Sequence, residues 1–261
     1  MTKLYRLCAA FAALFLLTSL AVKGSDTVTV SENETLNYYC KRNREHKTPT
    51  LDPKFGFMKD YGGCYVGREE DKVIYLTFDA GYENGNIERI LDTLKSHGAT
   101  GAFFVLDNLI RRNTDLVKRM AEDGHLVCNH TAHHKDMTKI SEKAMFEKEL
   151  SELSSFYTEM TGKTMAMYYR PPEGKFSLSN LKFASELGYK TVFWSFAYAD
   201  WDNNKQPDPE KAKKLILDNT HNGMVVLLHP TSKTNADILD SVMTEWEKMG
   251  YRFGTLDELC G

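Results

Sequence analysis

The chain has 261 residues, enough to bury one sizeable hydrophobic core or two small ones. Its 33 Lys and Arg are nearly balanced by 36 Asp and Glu, for a formal charge of −3. That balance gives no basic field for a phosphate backbone and argues against nucleic acid as a partner, while leaving a neutral sugar polymer open.

The N-terminus reads differently from the rest. Lys3 and Arg6 precede an apolar run from Leu7 to Val22, interrupted by Thr18 and Ser19, and the chain turns polar at Lys23. This is the pattern of an export signal, and Ser19-Leu20-Ala21 offers a small-x-small cleavage site. The run falls short of the about 20 residues of a comfortable membrane span. Residues 1–22 are therefore expected to be an export signal or an N-terminal anchor, with membrane contact confined to them; a buried helix is the competing reading. Cys8 lies inside this run, so Cys40, Cys64, Cys128 and Cys260 remain after export. Four cysteines allow three pairings. Cys40 with Cys64 would tie down the segment before the first strong strand, and four reduced thiols are equally compatible.

Residues 23–72 are polar and carry Pro49, Pro53, Gly56, Gly62 and Gly63. They read as an extension with little regular structure, wrapping the core through Tyr38, Tyr39, Phe55 and Phe57. From residue 73 to 261 a rhythm sets in. Val73 to Phe78 reads as a strand, and Ile87, Ile90, Leu91 and Leu94 mark a helix at a 3.6 period. Strands follow at 101–105 and 126–128, separated by a helix through Leu116, Val117 and Met120. A longer helix carries Met145, Phe146, Leu150, Leu153 and Phe156. Strands at 167–169 and 191–194 flank a helix through Leu181, Phe183 and Leu187. Pro209 opens another helix, 224–228 is a very apolar strand, and Ile238, Val242, Trp246 and Met249 share the face of a last helix before a strand at 251–253. Helices ending at Gly and handing over to short β-rich runs are the signature of an α/β fold of parallel strands with helices outside. Periodicity leaves an open doubly wound sheet and a closed barrel equally available.

Polar residues gather where the strands end, which is where either architecture binds ligands. Asp79 follows the first strand, His130 the third, Arg170 the fourth, Asp200 the fifth and His229 the sixth. His130 and His134, four apart with His133 between them, would face one way on a helical turn and offer two imidazoles to a metal, although a surface pair is the simpler explanation. Asp79 before Gly81 fits a helix cap as well as a catalytic carboxylate. Arg170, stiffened by Pro171-Pro172, can pair with a buried carboxylate, and His229 at the mouth of an apolar strand is a candidate acid or base.

The run Leu76-Thr77-Phe78-Asp79-Ala80-Gly81 resembles the first motif of the polysaccharide deacetylase family, the NodB homology domain. Asn129-His130-Thr131-Ala132-His133-His134 is similar to its paired-histidine motif, Arg170-Pro171-Pro172-Glu173-Gly174 to its third, Asp200-Trp201 to the end of its fourth and Leu228-His229 to its fifth. The motifs arrive in family order. The resemblance implies a distorted seven-stranded (β/α) barrel that hydrolyses N-acetyl groups. In it Asp79 would be the general base, oriented by Arg170, and His229 the general acid, paired with Asp200. His130 and His134 would hold a divalent ion, Zn²⁺ first, with Co²⁺ or Mn²⁺ as substitutes. Most members carry two consecutive aspartates, and here the second is Ala80, which implies a weakly held ion.

Gly81-Tyr82-Glu83-Asn84-Gly85 and the run from His229 to Ala236 further resemble the branch that forms muramic δ-lactam in spore peptidoglycan. That branch deacetylates N-acetylmuramic acid residues lacking peptide stems. It implies peptidoglycan strands as partner, functional coupling to a muramoyl amidase, and a location at the cell wall, the outer face of the membrane or the forespore intermembrane space. Tyr82, Lys175, Trp201 and Lys233 are the expected substrate contacts, with Glu173 beside them. A chitin-type deacetylase and a noncatalytic wall-binding protein are the competing functions.

Overall fold

A computed structural model describes residues 30–261; the expected export signal or anchor of residues 1–22, with Cys8, lies outside the described residues. The extension is more regular than its composition suggests. It contributes β1 (Leu36–Asn37), a 3-10 helix (Pro53–Tyr61) and β2 (Gly63–Cys64). Asp52 caps the 3-10 helix by accepting from the Lys54 N–H, Pro53 supplies its first turn, and Gly62 ends it at φ 71°. Tyr38 and Phe55 are buried as expected, against Phe176, Leu181 and Phe193, whereas Phe57 is only partly buried and Tyr39 stays 47% exposed.

β3 (Val73–Ala80) is the pivot of the molecule. Strand alternation sends Ile74, Leu76, Phe78 and Ala80 into the main core beneath the helices, while Val73 and Tyr75 join a separate cluster on the other face. The remaining elements alternate: α1 (Ile87–Ser96), β4 (Ala102–Val105), α2 (Asp107–Arg112), α3 (Thr114–Glu122), β5 (Leu126–Asn129), α4 (Lys143–Thr161) and β6 (Ala166–Tyr169). They continue through β7 (Lys175–Phe176), α5 (Leu178–Glu186), β8 (Lys190–Val192), α6 (Pro209–Asp218), β9 (Met224–Leu228), α7 (Lys233–Lys248), β10 (Arg252–Gly254) and α8 (Leu256–Cys260). All seven expected strands are present; the short α2 and α8 were not foreseen, because neither is long enough to show a period.

The sheet is parallel, in the order β10-β3-β4-β5-β6-β8-β2, with β9 beside β3. It curls until the chain beyond β8 meets β9, where Phe196 bridges Val226 and the Ser195 N–H donates to the Val225 carbonyl at 2.9 Å. This is the distorted barrel that the sequence left as one of two choices. β2 adds a further strand from the extension, parallel to β8.

The cysteines settle differently from the Cys40–Cys64 pairing. Cys64 on β2 is bonded to Cys260 at the end of α8, with Cα atoms 6.0 Å apart, while Cys40 and the buried Cys128 remain free. α8 plugs the N-terminal end of the barrel through Leu256, against Ala102, Phe104, Cys128 and Val192. Chain ends that are distant in sequence are thereby brought to one place, which local spacing does not encode.

Candidate active site

Five strand ends deliver the polar residues to one mouth. Asp79 is the penultimate residue of β3, His130 and Arg170 directly follow β5 and β6, and His229 follows β9, with Asp200 on the loop beyond β8. The parallel register aligns these ends: Asp79 stands opposite Phe104, and Val105 opposite Asn129.

Arg170 is 0% exposed, so its charge must be fully engaged. Nη1 donates to Asp79 Oδ1 at 2.8 Å, and Nη2 to Thr77 Oγ1 at 2.9 Å and the Phe193 carbonyl at 3.2 Å. Nε donates to the Val192 carbonyl at 3.0 Å, and the guanidinium lies 4.2 Å over the Phe104 ring. A rigid planar fork with donors on several edges is what such a buried site requires. Burial pushes the Asp79 pKa up, but the charges of Arg170, His130 and His229 outweigh it and hold the carboxyl below its usual range. Asp79 is ionised at neutral pH, with Oδ1 tied to Arg170 and Oδ2 3.6 Å from His130 Nε2.

His130 Nδ1 donates to the Arg170 carbonyl at 2.9 Å, which fixes the tautomer and leaves Nε2 as a lone-pair donor. Burial, partly opposed by Asp79, lowers its pKa to about 4, so the imidazole is neutral at physiological pH. The helical turn that would have brought the two histidines onto one face is absent. Residues 130–136 form a loop in which Thr131 and His134 have φ of 71° and 54°. The Asn129 side chain accepts from the Thr131 N–H at 2.9 Å, and Thr131 Oγ1 accepts from the His134 N–H at 2.9 Å. These bonds curl the loop so that the His130 and His134 rings still meet, 5.0 Å between centroids. His133 turns away to Glu149, 3.2 Å from Nδ1, and the same carboxylate takes Lys135.

No cluster of three His, Cys, Asp or Glu side chains suited to a metal is present among the described residues. The donor set that is present, a neutral buried imidazole anchored through its far nitrogen, a second imidazole in contact and an ionised carboxylate nearby, nevertheless fits a divalent ion held by His130 and His134.

Across the mouth, His229 Nδ1 donates to Asp200 Oδ1 at 2.7 Å, and its backbone N–H to Oδ2 at 2.8 Å. Burial lowers the His229 pKa, but the hydrogen bond and charge of Asp200, helped by Asp79, raise it above the ordinary histidine value. The Trp201 ring is 60% exposed and stands 6.1 Å from the imidazole. Tyr82 is 43% exposed and its hydroxyl accepts from Asn203. Lys175 and Lys233 both carry partners within the chain, Glu173 at 2.6 Å and Asp237 at 2.5 Å, so neither stands ready as an unpaired cation.

The sequence missed several supporting residues. Thr77, Asn129 and Thr131 sit inside the motifs already singled out, and their value lies in bonds that only the fold reveals. Asn235 sits inside the His229–Ala236 run, again without a role legible from it, whereas Glu149 and Tyr198 lie outside the motifs; the signal for Glu149 was a lone carboxylate in the buried stripe of α4, next to Leu150.

The fold and sequence have relatives among known proteins. Residues 67–192 match the family described as polysaccharide deacetylase. The chain is 38% identical over 241 residues to the peptidoglycan-N-acetylmuramic acid deacetylase PdaA of Bacillus subtilis, covering 92% of this chain and 91% of that protein. The solved structure of Bacillus subtilis PdaA, a family 4 carbohydrate esterase, superposes with a TM-score of 0.84 at 39% identity, over 87% of this chain and 97% of that one. A family 4 carbohydrate esterase from Bacillus anthracis gives a TM-score of 0.73 at 33% identity, over 88% and 98%. The chain belongs to the polysaccharide deacetylase family.

Proposed function

We propose that this protein hydrolyses the N-acetyl group of N-acetylmuramic acid residues in peptidoglycan strands that have lost their peptide stems, contributing to muramic δ-lactam formation in the spore cortex. The observation that carries the reading is near full-length similarity to a protein named as a peptidoglycan-N-acetylmuramic acid deacetylase, combined with a mouth that gathers a carboxylate paired with an arginine and an imidazole paired with a carboxylate. Export through residues 1–22 to the wall side of the membrane, or to the forespore intermembrane space, and prior action of a muramoyl amidase are parts of the same proposal.

Amide hydrolysis needs a base for water, stabilisation of the oxyanion and a proton for the leaving nitrogen. Asp79 is the base: Arg170 immobilises one oxygen, and the other takes a proton as the water oxygen bonds to the acetyl carbon. A divalent ion between His130 and His134 would supply Lewis-acid polarisation of the carbonyl and a more acidic water. The backbone N–H near Tyr82 is positioned in sequence to complete the oxyanion site. His229 gives its proton to the sugar nitrogen as the C–N bond breaks, releasing acetate and a free amine. Its raised pKa keeps it protonated further up the pH scale, so turnover falls as pH rises through that value, while the depressed Asp79 pKa confines the acid limb to low pH. Tyr82 and Trp201 are the exposed aromatic platforms for the glycan. Lys175 and Lys233 are the cations for the lactyl carboxylate, each by exchanging its present carboxylate partner.

Mass spectra of products from peptide-stripped peptidoglycan and from chitooligosaccharides test the assignment. Acetate release confined to the muramyl glycan is expected. Equal or better turnover of the chitooligosaccharide would transfer the assignment to a chitin-type deacetylase, and binding of either glycan without acetate release would make the protein a wall-binding module.

A further inference from the structure

The first turn of α7 belongs to the mouth. Ser232 caps that helix, its hydroxyl accepting from the Asn235 N–H at 3.2 Å and donating to Gln206 Oε1 at 2.7 Å. Capping fixes Asn235 in the first turn with its side chain buried, 1% exposed, directly behind Asp200. The Asn235 amide is engaged through all its polar positions. Nδ2 donates to Asp200 Oδ2 at 2.6 Å and to the His229 carbonyl at 3.1 Å, and Oδ1 accepts from the Tyr198 hydroxyl.

An asparagine amide fits a slot of this shape in two orientations, and only one places a donor against Asp200. The other sets Oδ1 against a carboxylate oxygen, two unprotonated acceptors in contact. Tyr198 decides between them: its hydroxyl is largely buried, and its proton finds the amide oxygen only in the donor-forward orientation. Asp200 then receives three N–H bonds, from His229 Nδ1, the His229 backbone and Asn235. That leaves the carboxylate little freedom to rotate away from the imidazole.

We propose that Asn235, oriented by Tyr198, is a positioning residue for His229: it clamps Asp200 so that the imidazole keeps Nδ1 bonded and Nε2 free for the leaving nitrogen. The inference rests on the reading of His229 as the acid. The charged groups that face the imidazole are Asp200 on its own side, Asp79 from the end of β3 and Arg170 from the end of β6. Removing the Asn235 donor leaves more unshared charge on Asp200, in more apolar surroundings, which favours the protonated imidazole.

The test measures kcat and KM against pH for native enzyme, Asn235→Leu, Tyr198→Phe and His229→Gln. The substrate is peptide-stripped peptidoglycan strands, or chitooligosaccharides if those alone release acetate, and thermal melts run in parallel. Loss of one bond to a charged group predicts that Asn235→Leu lowers kcat about 10- to 100-fold at nearly unchanged KM. Its alkaline limb should move up by about half a pH unit or more. Tyr198→Phe should shift both in the same direction by less, and it decides the matter if Asn235→Leu does not fold. A merely structural role would scale activity down at every pH and leave the limb in place. If His229→Gln is inactive while the limb of the other variants stays put or moves down, the positioning role is overturned and the acid survives. Near-native turnover by His229→Gln would overturn both.

Discussion

At its C-terminal end the sheet presents Asp79, His130, Arg170 and His229 on or just beyond four strands, whereas toward its N-terminal end Val73 on β3, Ala102 on β4 and Val225 on β9 face apolar clusters. Phe104 belongs to both, with the Arg170 guanidinium over its ring and Leu256 of α8 in its apolar cluster. The mouth tolerates buried charge because each ion has partners: Arg170 makes four hydrogen bonds and Asp200 accepts three. At the floor the polar pairs, Tyr168 with Asp257 and Arg252 with Glu258, are exposed, and closure comes from packing and the Cys64–Cys260 bond. One end gathers the titratable groups of the proposed site and the other is held by packing and a covalent bond, so damage at each should register in a different measurement.

The sharpest break of that separation is at Asp79. Asp79→Asn preserves shape and an acceptor for Arg170 while removing the proton acceptor, so turnover should fall by about 10²- to 10⁴-fold, the usual contribution of a general base. Acetate-release kinetics at saturating divalent ion measure it, with melts to confirm folding. Turnover within tenfold of native would remove Asp79 from the role of base.

At the floor the expectation reverses. Cys64→Ser opens a loop spanning 196 positions, so unfolding should become easier by about 2–4 kcal/mol with kcat and KM unchanged. Denaturant unfolding of oxidised native protein beside the variant reads the difference. A fall in kcat of the folded variant would show that Phe104 transmits strain from floor to mouth and that the two ends are not independent.

How much of this was legible beforehand follows the same division. The strands were readable because each is a short apolar run bounded by Gly, and Asp79, His130, Arg170 and His229 were readable because they directly terminate such runs. The loop of His130 to His134 was legible only as a pair that a helical turn would bring together, since i,i+4 spacing does not reveal that Thr131 and His134 adopt positive φ under side-chain bonds from Asn129 and Thr131. The disulfide and the contacts of Asn235 were illegible for a deeper reason. Each depends on residues that meet only after the sheet curls: Cys64 with Cys260, and Asn235 with Tyr198 and Asp200 from the loop beyond β8.

Ala80 is where mouth and core meet, and it yields the smallest expected effect. One residue along β3 from Asp79, its side chain is fully buried in the main core with Ile74, Leu76 and Phe78, on the other face of the strand. The polysaccharide deacetylase pattern places a metal carboxylate here. In Ala80→Asp that carboxylate enters an apolar neighbourhood, where an unsatisfied polar group costs about 1–3 kcal/mol. The metal-free variant should therefore unfold more easily than native protein by that amount. If the aspartate reaches the ion between His130 and His134, Zn²⁺ should restore the loss, since saturation to 100 times Kd adds about 2.7 kcal/mol. Native protein, with two imidazoles, should need more Zn²⁺ for the same gain. Thermal melts across a Zn²⁺ titration, with Co²⁺ and Mn²⁺ as comparators, separate the two terms without reference to turnover. Turnover itself need not rise, because a further anion weakens the ion as a Lewis acid. A metal-free variant as stable as native would contradict the burial of residue 80 in the core. A destabilised variant with a native Zn²⁺ response would mean that a carboxylate on this face of β3 cannot reach the mouth, and that the boundary between the two regions runs between Asp79 and Ala80.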